Sequence, residues 1–367
     1  MREIEGAEGG LHNRQGGILI LSMADRRSAP LAAVFGLKGR RPRPEERAFF
    51  KKADPLGIIL FQRNCQTPDQ VRALIDDFRG CVGRADAPVL IDQEGGRVAR
   101  LQPPHWRGVP SAMAVAKLAD VSLNRAMEAL YLNALLIARE LWSLGVTVNC
   151  APVMDVPWPG AHGVIGDRAL GATPQRVGLL GSRVVAGLLD GGVSPVVKHM
   201  PGHGRAMVDS HSDLPLTNAG ARDLQSVDFK AFRYVRRAPW AMTAHVVYSA
   251  FDKKRPATIS KTVIEDCIRG EIGFKGVLVS DDLSMKALGG DMRDRAAQCL
   301  RAGCDIALHC NGDMREMEAV AEGAGQLGKA ALTRIAKAEK RRKNARMDID
   351  AKAALDRFHV LIGKRGC

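Results

Sequence analysis

Aromatic residues are scarce, 5% of 367, which argues against a stacking platform for single-stranded nucleic acid. No apolar run reaches the roughly 18–20 residues that a bilayer span requires, so no membrane span is expected. The eight cysteines (Cys65, Cys81, Cys150, Cys267, Cys299, Cys304, Cys310 and Cys367) include no CxxC pair. That speaks against a structural zinc site and against a secreted disulfide framework. Several stand in apolar runs, where a free thiol packs as a small hydrophobe. The first residues lack the marks of a signal peptide: Glu3, Glu5 and Glu8 occupy the region where positive charge belongs, and Arg26 and Arg27 follow a short apolar stretch over 16–22. No internal repeat and no Pro/Ser-rich linker divides the chain. The expectation is a cytoplasmic protein with reduced thiols, an N-terminal extension over 1–28 outside the fold, and one domain over 29–367.

Charge, by contrast, is plentiful and unbalanced. Lys and Arg number 54 against 40 Asp and Glu, a formal net charge of +14. Between Lys329 and Arg346 lie eight basic residues and one acid, Glu339, with Ala and Leu at helical spacing. This reads as the solvated face of a C-terminal helix; a patch for an anionic surface is the sharper alternative. No nucleic-acid motif accompanies it, so no nucleic-acid partner is expected.

Short apolar runs recur over 31–36, 57–62, 88–93, 146–151, 195–200, 240–245, 276–281 and 305–310. Most are continuously apolar rather than alternating, as in parallel strands covered on both faces. Helical patterns separate them. The stretch 68–81 opens on Thr-Pro-Asp with apolar residues at Val71, Leu74, Ile75 and Phe78, and further helices are expected over 123–144, 174–189, 260–269 and 294–302. Eight strands with interleaved helices predict an α/β fold, a single-domain (β/α)8 TIM barrel. The polar residues at or just after the strand ends are Arg63, Asp92, Asp155, Lys198 with His199, His245, Asp281 and His309. A barrel gathers these ends on one face, where such enzymes place their chemistry. A charged group there is costly without partners, so several around one ring point to a polar-substrate pocket.

Two segments carry the chemistry. Lys198 to His211 holds His199, His203, Asp209 and His211. A zinc pair at His199 and His203 would need a helix, which Pro201 and Gly202 oppose, so no metal is expected. Gly202 and Gly204 predict a mobile loop. Asp209 and His211, two residues apart, can hydrogen-bond in a turn, which raises the imidazole pKa and fixes its tautomer; a solvated polar loop is the plainer alternative. At the end of the seventh strand, Asp281 and Asp282 can be a helix N-cap pair, or one can face the barrel mouth as a nucleophile while the other points away or caps the next helix.

Taken in order, these segments resemble a known family. The matching stretches are Ile59-Leu-Phe-Gln-Arg-Asn64, Ile91-Asp-Gln-Glu-Gly-Gly-Arg-Val-Ala-Arg-Leu101, Ala151-Pro-Val-Met-Asp-Val156, Ile165-Gly-Asp-Arg168, Lys198-His-Met-Pro-Gly-His-Gly204, Asp209-Ser-His211 and Val279-Ser-Asp-Asp-Leu-Ser-Met285. Together they are similar to the family 3 glycoside hydrolases, specifically the single-domain bacterial β-N-acetylhexosaminidases, from about Ala29 to near the C-terminus. The chain departs in having Met200 where an aromatic residue is usual, and its first 28 or so residues have no counterpart.

The resemblance implies a (β/α)8 barrel, retention of anomeric configuration, and no cofactor. It makes Asp281 the nucleophile, His211 the general acid/base and Asp209 its partner. It places Asp92, Arg100, Arg168, Lys198 and His199 around the terminal sugar. It also implies a substrate: N-acetylglucosamine β-linked to 1,6-anhydro-N-acetylmuramic acid, with or without peptide, in peptidoglycan recycling. The residue types suit that task. Lys198, Arg168 and Arg100 are donors for hydroxyls and an acetamido carbonyl, and Asp92 can accept from two hydroxyls. Rival readings are phosphorolysis on the same scaffold, since a histidine acid/base leaves room for phosphate, a non-catalytic sugar-binding barrel, and a metal-dependent hydrolase. The last would need a His-x-His on the first strand, and 31–36 has none.

Overall fold

The structure is a computed structural model that describes residues 29–161, 163–206, 210 and 214–363. Eight strands form its centre: β1 Leu31–Gly36, β2 Pro55–Leu60, β3 Val89–Ile91, β4 Val148–Asn149, β5 Ser194–Met200, β6 Trp240–Thr243, β7 Val277–Asp282 and β8 Ile306–His309. Each pairs in parallel with its sequence neighbour, and β1 pairs with β8, so the sheet closes into a barrel. All eight predicted runs are present, with every end within two residues of its expected place.

Several helices start and stop at residues whose local chemistry favours it. Helix α1 spans Pro44–Ala53 and α2 spans Pro68–Val82. The Thr67 hydroxyl accepts from the Gln70 N–H at 3.3 Å, Pro68 fills the first turn, and Gly83 ends the helix at φ 62°. Ser122 caps α3, Leu123–Ser143, and Thr173 caps α4, Pro174–Asp190, in the same way. Asp291 caps α5, Met292–Ala302, which is followed by α6, Met314–Ala324. The expected helix over 260–269 is wound with wider turns over Val263–Glu271. On α2 the apolar stripe Val71, Leu74, Ile75, Phe78 and Val82 is buried against the barrel wall, so the 3.6-residue periodicity is realised as packing.

A second apolar cluster fills the barrel bore, with Val34, Ile59, Leu90, Val196, Val279 and Leu308 among its members. Leu327, with Ala331 and Ala338 of α7 (Lys329–Ala345), joins it, so α7 lies across the N-terminal end of the barrel. Arg334 of α7 donates to Asp305 at 2.6 Å, just before β8. The basic segment is therefore a helix with one face packed, as its spacing predicted. Helix α8, Ala351–Leu361, packs against α3. Among the described residues no helix is long and apolar enough to cross a membrane. Seven described cysteines are free, five of them buried.

Candidate active site

Above the bore, at the C-terminal ends of the strands, lies a cavity of about 890 Å3. Asp92, Glu94, Arg97, Arg100, Arg168, Lys198, His199, Asp281 and Asp282 supply its polar wall, and Phe61, Val98, Val164 and Met285 its apolar edge.

At its floor is a network of ion pairs. The Lys198 ammonium, on β5, donates to Asp92 Oδ1 at 2.8 Å and lies 2.7 Å from Glu94 Oε1. Arg100 reaches Asp92 Oδ2 at 3.1 Å, and Arg168 holds Glu94 with two bonds of 2.8 and 2.7 Å. Burial alone would neutralise these groups, but the opposite charges outweigh it: Asp92 and Glu94 are held below the usual carboxylate range, and Lys198 above the usual lysine value. The floor is thus charged at neutral pH, with rigid donors and acceptors of both signs. Glu94 was not singled out from the sequence. Its signal was present in the Asp92-Gln-Glu94 spacing, because alternate residues of an extended segment share a face.

His199 is oriented from behind. Asp155, fully buried, bonds the His199 Nδ1 at 2.7 Å and accepts from the backbone N–H groups of His199 at 3.3 Å and His203 at 2.6 Å. Burial opposes its charge, but His199 and these bonds hold the Asp155 carboxyl below its ordinary range. The His203 Nε2 lies 3.3 Å from Ser210 Oγ, and burial, then the neighbouring His199, push its pKa down to about 4. The loop after β5 is anchored at its stem. The Tyr248 hydroxyl donates to the Gly202 carbonyl at 2.6 Å, and a Cβ on Gly204 would fall 1.8 Å from the Val156 carbonyl oxygen. The expectation of mobility from Gly202 and Gly204 is corrected for this stem: those glycines allow close packing. Asp209 and His211 lie outside the described residues.

The two carboxylates ending β7 differ sharply. Both Asp282 oxygens are taken: Oδ1 accepts from the Ser284 and Cys310 N–H groups at 3.0 and 3.1 Å, and Oδ2 from the Ser284 hydroxyl at 2.6 Å. Asp282 therefore ties β7 to β8; the following helix is capped by Asp291 instead. Asp281 accepts from the Asp282 N–H through Oδ1 at 2.8 Å, and no donor among the described residues reaches its Oδ2. Burial disfavours its charge, but His199, His245, the Asp282 N–H and Lys198 outweigh it, so its pKa is lowered.

The other strand-end residues do not face the cavity. Arg63 spends its donors on the carbonyls of Leu37, at 2.8 Å, and Cys310. His245 bridges Thr258 and the Asp282 carbonyl at 2.7 and 3.0 Å, and His309 bonds Glu316 at 2.9 Å. These three fix strand ends. Of the expected sugar-binding residues, the structure brings Asp92, Arg100, Arg168, Lys198 and His199 together around one cavity with Asp281.

The sequence profile of the glycosyl hydrolase family 3 N-terminal domain matches residues 21–344. The chain belongs to glycosyl hydrolase family 3. Among the relatives of this hydrolase is a β-hexosaminidase of Alkalilimnicola ehrlichii, 39% identical over 282 residues, covering 76% of this chain and 80% of that one. A β-hexosaminidase of Thiobacillus denitrificans is 39% identical over 267 residues, 71% and 73% of the two chains. Among solved structures, NagZ from Neisseria gonorrhoeae in complex with zinc ion superposes with a TM-score of 0.80 at 28% identity, covering 91% of this chain and 99% of that one. A family 3 β-N-acetylglucosaminidase from Paenibacillus sp. matches at TM-score 0.79 and 30% identity, covering 90% and 67%.

Proposed function

We propose that this family 3 hydrolase is a retaining exo-β-N-acetylglucosaminidase that removes a non-reducing terminal N-acetylglucosamine through a covalent intermediate on Asp281. The β-hexosaminidases and β-N-acetylglucosaminidases it is similar to support the reaction class. One observation carries the assignment of the nucleophile: Asp281 keeps an oxygen open to the cavity, while Asp282 has both engaged.

In the first step Asp281 Oδ2 bonds to the anomeric carbon as the glycosidic C–O bond breaks, and the His211 imidazolium gives its proton to the departing oxygen. The Asp209 charge favours that protonated form near neutral pH. In the second step neutral His211 takes a proton from water, the water oxygen bonds to the anomeric carbon, and Asp281 leaves as carboxylate. A histidine in place of the usual second carboxyl leaves one anion beside the oxocarbenium-like transition state. Lys198, Arg168, Arg100, Asp92 and His199 hold the sugar. Arg97 on the wall suits an acidic aglycone such as 1,6-anhydro-N-acetylmuramic acid, which supports peptidoglycan fragments as the natural substrates.

A glycosyl adduct trapped with a slow substrate is expected on Asp281. His211→Ala should cripple hydrolysis of the disaccharide but spare glycosylation by a nitrophenyl substrate, with a gap of about 10²- to 10⁴-fold. An adduct on another residue, or equal loss with both substrates, would overturn the assignment. Products compared with and without phosphate separate hydrolysis from phosphorolysis.

A further inference from the structure

A second cleft, of about 880 Å3, opens at the N-terminal end of the barrel, away from the strand ends that form the active site. Three separate segments bring its cations together. Arg236 and Arg237 precede β6, Lys275 precedes β7, and Arg334, Lys337 and Arg341 come from one face of α7 at helical spacing. No acidic side chain among the described residues lines it. Arg334 is neutralised by Asp305. The other five, Arg236, Arg237, Lys275, Lys337 and Arg341, form no ion pair among the described residues. Elsewhere on α7 the opposite holds, since Glu339 pairs with both Arg342 and Lys343. The unpaired cations of this helix thus include two that converge on the cleft. Arg341 donates to the Arg237 carbonyl, and both residues line the cleft. Burial, and then the Arg237 charge, push the Arg341 pKa down.

Like charges gathered in one concavity repel, and an anion seated among them relieves that repulsion. Three are arginines, whose planar forks match phosphate oxygens. No aromatic side chain among the described residues lines the cleft, so these residues offer no platform for stacked bases. Among the described residues no exposed large apolar side chain belongs to its wall that would enter a membrane. We propose that this cleft is a binding site for a compact anion carrying two or more phosphates.

Calorimetry on the full chain with inorganic tripolyphosphate and with ATP tests this, at an ionic strength of about 0.15 M, where diffuse surface attraction is screened beyond about 8 Å. Saturable binding is expected, weakened about tenfold or more by Lys275→Glu with Lys337→Glu. Both side chains are exposed, and unchanged chromogenic hydrolysis shows that the variant is folded. Lys51→Glu with Lys52→Glu, exposed on α1, changes the net charge equally and should weaken binding less than about threefold. Tripolyphosphate binding alone points to an inorganic chain, and ATP binding as tightly or more so points to a nucleotide; either supports the site. Absence of saturable binding, equal weakening by both pairs, or binding only of oligonucleotides with affinity rising with length would overturn it.

Discussion

Replacing Lys198 by methionine tests the charged floor of the active site most directly. The change keeps the aliphatic stem and deletes an ammonium whose side chain is only 3% exposed and which lies 2.8 Å from Asp92 and 2.7 Å from Glu94. Removing one partner from a buried ion pair costs roughly 3–5 kcal/mol. Here each carboxylate keeps an arginine, Arg100 for Asp92 and Arg168 for Glu94. The lower end, about 3 kcal/mol at pH 7, is therefore expected, still a large share of the 5–15 kcal/mol typical of a domain. The pH dependence sharpens the test. In the native protein the lowered carboxylate values mean a contribution that is complete above the ordinary carboxylate range and is lost as pH falls through the lowered values. The raised Lys198 value means a contribution that is complete below the ordinary lysine value and is lost as pH rises through the raised one. The floor is thus at full strength from about pH 5 to 10. In Lys198→Met the two carboxylates repel, so one of them takes up a proton more readily, and the penalty should shrink between pH 7 and pH 5. Urea unfolding of both proteins at the two pH values measures this. A penalty below about 1 kcal/mol at pH 7, or one that grows on acidification, would refute the reasoning.

Two further substitutions test what holds the site in place. Asp155→Asn removes the charge behind His199 and the Oδ2 acceptor facing its Nδ1, leaving a neutral amide oxygen for the two backbone N–H groups; kcat should fall at least about tenfold, with a loss of roughly 1.5–3 kcal/mol in stability. Kinetics alongside thermal unfolding checks both parts, and full activity would remove Asp155 from its positioning role. Gly204→Ala places a Cβ where the Val156 carbonyl oxygen stands, so the stem of the loop after β5 must shift; a cost of about 1–3 kcal/mol and a lowered kcat are expected. An unchanged melting temperature would show that the stem yields freely.

The sequence carried the barrel because its strands are nearly pure apolar runs and its helices carry caps at Thr67, Ser122 and Thr173 with a 3.6-residue stripe behind them. Those signals are local, and local signals can be read along a chain. The residues that line the cavity were legible through family-like motifs, with each falling at a strand end or in the loop beyond one. Partners across space were not legible. Nothing in the order of residues says that Asp155 would turn away from the cavity to hold His199, or that Arg63, 247 positions before Cys310, would spend itself on that residue's carbonyl. Glu94 was legible only as far as its spacing from Asp92 puts both on one face; its pairing with Lys198 and Arg168, each from another strand or loop, was not.

The contrast between Asp281 and Asp282 shows how the fold converts a doubled residue into two roles. Both aspartates at the end of β7 border the cavity, but successive side chains of a strand diverge, so their carboxylates meet different partners. The register between β7 and β8 shifts between Val279 and Asp282, and the Asp282 carboxylate meets the N–H of Cys310, just beyond β8. That contact locks the β7 end to β8. On the other side of Cys310, its carbonyl accepts from Arg63 and sits where Gly36 of β1 has no Cβ to obstruct it, a position 2.1 Å from where that atom would stand. One residue thus links the ends of β7 and β2, with Asp282 on its N–H and Arg63 on its carbonyl. Asp281, relieved of structural work by its neighbour, is left with an oxygen free to react. A carboxylate that also held the barrel closed would have to give up a backbone bond in order to attack.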